Sequence, residues 1–121
     1  MLGRMSQQFV FHDVRTTDLA ASRRFYTELF GWEVADTPAG PMFGDEGGVW
    51  GGFTPLPEGD PRPPQWIPYV SVADVDAAAR RAVELGASVV KPRIDLPPGS
   101  VVVIDEPGGA TLALWQPAAQ Q

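Results

Sequence analysis

Sliding this chain 56 residues along itself brings two stretches into register, and that repeat constrains the fold more than any other feature. Asp18 falls on Asp74, Ala21 on Ala77, Arg24 on Arg80, Glu28 on Glu84 and Leu29 on Leu85, while Leu19 meets Val75. Residues 9–16 (Phe9 to Thr16) have the β-branched and aromatic content of a strand. Thr17-Asp18 then has the chemistry of a helix cap, because a short oxygen-bearing side chain accepts a free amide hydrogen of the first turn. Leu19, Ser22, Phe25, Tyr26, Leu29 and Phe30 follow at helical spacing, predicting a helix over 19–30 that turns these residues inward. Gly31 ends it, and Trp32-Glu33-Val34 starts a further strand.

The second stretch has the same order. Ile67 to Val72 reads as a strand and Asp74 as a cap. Val75, Ala78, Ala79, Ala82 and Leu85 then face inward from a helix closed by Gly86, before Ala87 to Val90. More strand follows each helix: Met42-Phe43 and Val49 to Phe53 in the first half, Ser100 to Asp105 and Ala110 to Trp115 in the second. The last two make a hairpin over Glu106-Pro107-Gly108-Gly109. A Pro-rich linker at 55–65 joins a first module at about 9–55 to a second at about 66–117. One domain of 1–121 results, of the α+β class.

Function classes narrow by exclusion. Nine basic against fifteen acidic residues leave a net charge of −6, which repels phosphate backbones and argues against nucleic acid as a partner. No apolar run approaches the ~20 residues of a membrane span. The start, Met1 to Ser6, lacks the apolar core of a secretory signal. No cysteine is present, so disulfides and thiolate ligands are out and the cytoplasm is the expected compartment. No Gly-rich turn runs from strand to helix with phosphate-loop spacing.

Alternation along the first strand puts Phe11, Asp13 and Arg15 on one face and His12, Val14 and Thr16 on the other. Asp13 and Arg15 can form a structural ion pair, or Arg15 can bind an anionic group while Asp13 takes a proton or hydrogen bond. His12 is either a hydrogen-bonded residue beside the core or a general base. A bulge would reverse the parity and turn it over.

The ordered set Thr16-Thr17-Asp18-Leu19, Phe25-Tyr26, Leu29-Phe30-Gly31-Trp32, Asp74 to Ala78, Glu84-Leu85-Gly86, Asp105 to Ala110 and Leu114 to Pro117 resembles the vicinal oxygen chelate superfamily, also called glyoxalase/bleomycin-resistance/dioxygenase. Phe11-His12-Asp13, Trp66 to Tyr69 and Asp95 to Gly99 look most like a bacterial branch with tandem copies of such a unit. The resemblance implies two βαβββ modules with helices outside and curved mixed sheets enclosing a cavity. It also implies where metal-dependent members carry ligands: two positions seven residues before each capping Asp, one six residues after the late-turn proline, and one near the end of the first module. Those are Phe11, Ile67, Ala113 and the stretch Trp50 to Gly52, none of a ligating type.

The expected pocket is therefore apolar and aromatic, lined by Phe11, Asp13, Arg15, Trp50, Ile67, Tyr69, Ser71, Ala113 and Trp115, with Phe53 beside them and no metal or other cofactor. The leading function is binding of a small organic molecule. The alternatives are a metal-independent enzyme using Asp13, Tyr69 or His12 for acid/base chemistry, a metal-dependent lyase or dioxygenase with displaced ligands, and a purely structural or partner-binding module. A homodimer is the expected assembly.

Overall fold

The computed structural model describes residues 8–119, so the reading of Met1 to Ser6 lies outside the described residues. The elements run β1 (Phe9–Thr16), α1 (Leu19–Phe30), β2 (Glu33–Thr37), β3 (Gly40–Asp45), β4 (Gly48–Pro55), β5 (Gln65–Ser71), α2 (Val75–Glu84), β6 (Ser88–Leu96), β7 (Gly99–Asp105) and β8 (Thr111–Pro117). This is βαβββ twice, and β1 and α1 begin 56 residues before β5 and α2. In each module the first and last strands pair in parallel, β1 with β4 and β5 with β8, and the other pairs are antiparallel. The class is α+β with mixed sheets. The described residues divide into two compact units: Phe11–Ile67, and 68–119 together with 8–10.

Both helices start as the cap chemistry dictates. Asp18 Oδ1 accepts the Ala21 amide hydrogen at 3.0 Å, and Asp74 Oδ1 accepts that of Ala77 at 3.0 Å. Gly31 ends α1 at φ 72°, a left-handed turn that a Cβ would strain. The start of α2 has a second tie, since Gln116 Oε1 accepts the Val75 amide hydrogen at 2.8 Å. Removing Asp18 is accordingly expected to cost about 1 kcal/mol. Asp74→Ala is expected to cost less, because Gln116 still holds the first turn. The two shifts in urea midpoint check the order.

The core of the first unit is Val14, Phe43 and Phe53, with Leu19, Tyr26, Trp32, Val34, Trp50 and Trp66 packed against it. The Trp66 indole N–H donates to Tyr26 Oη at 3.0 Å, so the one polar atom of the indole is satisfied inside the cluster. In the second unit Val75, Val102, Ile104 and Leu114 form the core beneath Ala78, Ala79 and Ala82.

The inward face expected for the helices is too broad. Phe25, Leu29 and Leu85 are 56%, 59% and 60% exposed, and Phe30 is more than half exposed. Leu19, Ser22 and Tyr26 make the line of contact, with Ser22 Oγ 2.7 Å from Thr16 Oγ1. Phe25 lies about 60–120° round the helix from those three residues, off the line of contact, whereas Leu29 lies only about 20° from Ser22 and is exposed in the last turn of α1. Phe30 ends the helix and stacks on Trp32 at 4.6 Å, while Leu85 follows the last residue of α2.

Candidate functional site

In the first unit, the strand register aligns Asp13 with Gly52 and Arg15 with Thr54. The pleat puts these residues and Phe11 on the face away from the Val14–Phe43–Phe53 core. A Cβ built on Gly52 would meet Met42 Sδ at 3.0 Å, Phe11 Cζ at 3.1 Å and Asp13 Oδ1 at 3.4 Å, so glycine is what lets these three groups converge. Arg15 Nε donates to Asp13 Oδ2 at 2.6 Å, and the two side chains are 12% and 6% exposed. Burial pushes the Asp13 carboxyl above the usual carboxylate range; the hydrogen bond from Thr54 and the charge of Arg15 pull the other way and do not cancel it. The arrangement is a desolvated acid beside its own cation, on a wall of Phe11 and Met42. It can hold a proton, or orient a polar group of an otherwise apolar molecule.

His12 follows strand parity. β1 pairs with β4 without a break from His12 to Thr16, so His12 lies on the side of Val14 and Thr16, opposite Asp13. Trp50 and Phe53 do not join Asp13. A bulge between Phe43 and Gly44 leaves Trp50 out of the ladder and turns it to the helix side, where it stacks on Phe43 at 4.8 Å. Phe53 belongs to the same core.

In the second unit the register brings Tyr69 opposite Ala113 and Ser71 opposite Trp115. Val101 and Val103, paired with Trp115 and Ala113, complete an apolar face. Tyr69 and Ala113 are buried, and the Tyr69 ring lies 6.0 Å from Trp115. Trp115 covers Gly99, where a Cβ would lie 2.7 Å from the indole. Ile67 is buried in the middle of β5.

The resemblance implies a fourth ligand position within Trp50 to Gly52, and the strand registers narrow it. Gly52 meets β1 where Ala113 meets β5, so the positions are Phe11, Gly52, Ile67 and Ala113. Hydrogen and hydrocarbon side chains offer no donor, and no three His, Cys, Asp or Glu cluster suitably for a metal among the described residues. The residues present do not fit a divalent ion at these positions. Thr54, Met42 and Gly52 were not read from the sequence as part of the site. The repeat could have indicated Thr54, since it faces Arg15 as Trp115 faces Ser71.

Known proteins match over most of this length. A protein of Mycobacterium bovis labelled a glyoxylase, CFP32, is 37% identical over 113 residues, covering 86% of this chain and 43% of its own. The anthracycline biosynthesis protein DnrV of Streptomyces peucetius is 32% identical over 123 residues, covering 86% of this chain and 45% of its own. The chain thus spans less than half the length of these relatives. Methylmalonyl-CoA epimerase from Mycobacterium tuberculosis superposes with a TM-score of 0.66 at 17% identity, over 97% of this chain and 95% of that one, a likeness of fold alone. Residues 7–114 match the family described as glyoxalase/bleomycin resistance protein/dioxygenase superfamily, and the chain belongs to that superfamily.

Proposed function

We propose that this protein binds a small organic molecule on the face formed by Phe11, Asp13, Arg15 and Met42, without a divalent ion at the superfamily's usual ligand positions. The observation that carries this is the buried Asp13–Arg15 pair, held at 2.6 Å on an apolar wall that faces away from the core. Small-molecule sites combine a mostly apolar lining with a few placed polar groups, and this face has that composition. The relative named for anthracycline biosynthesis supports an aromatic natural product as the ligand class. Tyr69, Ser71, Ala113 and Trp115 offer a second face of similar composition in the other unit. We place the protein in the cytoplasm as a homodimer, a state that sedimentation at micromolar concentration reads directly.

Calorimetric titration with a panel of anthracyclines and other planar aromatics tests the reading. One or more should bind saturably to protein stripped with chelator. Asp13→Asn should weaken binding about tenfold, the scale of one hydrogen bond to a charged group. Binding that requires added metal, or that ignores Asp13→Asn, counts against it.

The raised proton affinity of Asp13 favours a second reading, metal-independent acid/base catalysis on the bound molecule. If Asp13→Asn abolishes turnover of a bound compound while binding persists, this reading replaces the first.

A further inference from the structure

The bulge in the β3–β4 hairpin has a product. Phe43 pairs with Gly51 and Gly44 with Val49, which leaves Trp50 as the extra residue. A regular ladder would put Trp50 on the face of Gly52 and Asp13. The bulge carries it to the other side, stacked on the buried Phe43 ring at 14° and set against Trp32 at 84° with 4.8 Å between the indole centroids. Bulges re-aim side chains in this way and gather near functional sites. This one also demands Gly51, where a Cβ would lie 2.7 Å from the His12 carbonyl oxygen and 3.1 Å from the Phe43 ring.

Beside the two indoles the surface opens into a hollow of about 720 Å³, within the usual range for small-molecule sites. Trp32 and Trp50 form its aromatic wall, Glu33, Asp45 and Glu46 bring three carboxylates, and glycines complete it with no lysine or arginine in the lining. The Asp45 carboxylate is fixed at the turn, since its Oδ1 accepts the Gly47 amide hydrogen at 2.8 Å. The wall is held from behind: Phe43 backs Trp50, and Phe30 stacks on Trp32 at 4.6 Å. None of Phe11, Asp13, Arg15 or Thr54 takes part.

We propose that this hollow is a binding site for a small organic cation, a quaternary ammonium or protonated amine. Indole rings attract a cation through their quadrupole, and most strongly where solvent is partly excluded. The three carboxylates add attraction of the same sign, and the net charge of −6 favours the approach of cations from solution. Anions are repelled by the same groups, and a neutral molecule of equal shape gains only contact with the rings. Charge complementarity and the re-aimed Trp50 together select the ligand class, independently of what binds at Asp13.

Choline and its uncharged isostere 3,3-dimethyl-1-butanol make the test, titrated into the whole chain while the four indole N–H resonances are followed by NMR. Choline should shift the Trp32 and Trp50 signals saturably, and the alcohol at equal concentration should not. A combined Glu33→Gln, Asp45→Asn and Glu46→Gln variant should bind choline about tenfold more weakly with its melting temperature kept, since all three side chains are exposed. If that variant fails to fold, the native chain serves: raising salt from about 0.1 M to about 1 M should weaken choline binding, because exposed charges are screened. Equal shifts from both compounds, no shift from choline, or affinity unaffected by both the carboxylates and salt would each overturn the proposal.

Discussion

Replacing Phe43 with alanine is expected to cost about 3–5 kcal/mol of folding stability, enough to unfold much of a marginally stable chain. Phe43 is fully buried in β3 and touches five other rings. Phe53 and Trp50 lie nearest, at 4.5 and 4.8 Å, and Trp32, Tyr26 and Trp66 follow at 5.4 to 5.9 Å. Truncation removes a ring from the centre of that cluster, and large rings fixed by their own strands and helix cannot collapse into the space. The loss is therefore transfer free energy plus a cavity. Urea unfolding followed by tryptophan fluorescence measures it, with three of the four tryptophans in this cluster as reporters. Phe25→Ala is the control: a ring that is mostly solvent-exposed on α1 should cost under about 1 kcal/mol. Equal costs at the two positions would mean that this aromatic cluster does not organise the unit.

What was legible in the sequence follows the range of each interaction. The repeat, the two capping aspartates and the bounds of β1 and α1 depend on neighbours within a few residues, so short patterns carry them. The face shared by Phe11, Asp13 and Arg15 follows from strand alternation, which β1 keeps to its end. Trp50 could not be placed the same way. Its side depends on whether the β3–β4 ladder is regular, and an extra residue in one strand leaves no mark beyond the glycines around it. Phe25 fails for a different reason. Helical spacing identifies an apolar stripe, but the width of the sheet beneath decides how much of it is covered, and that width is a property of the whole unit. Thr54 reaches Asp13 only because β4 returns parallel to β1, a pairing about forty residues distant that no local pattern encodes.

Arg15→Met is the second substitution expected to have a large effect, and its pH dependence identifies the cause. Arg15 and Asp13 are both largely buried, so removing the cation leaves an uncompensated carboxylate, at a cost of about 3–5 kcal/mol near pH 7. Burial already raises the Asp13 carboxyl above its ordinary 3.8, so the folded chain holds the proton more tightly than the unfolded one. The stability that proton uptake supplies is fully present below about pH 3.8 and is lost as pH rises through the higher folded value. Without Arg15 the folded value rises further, so the loss extends to higher pH and becomes larger. The deficit of Arg15→Met relative to the native chain should therefore shrink as pH falls, until below 3.8 only a pH-independent part remains, the lost packing of the arginine stem included. The double variant Asp13→Asn, Arg15→Met should recover most of the stability at pH 7 and should lose this pH dependence, since neither buried charge is left. Differences between variants at each pH cancel the titration of the exposed carboxylates. A deficit that stays constant from pH 3 to pH 7 (about the span of the effect) would show that Arg15 acts through packing alone.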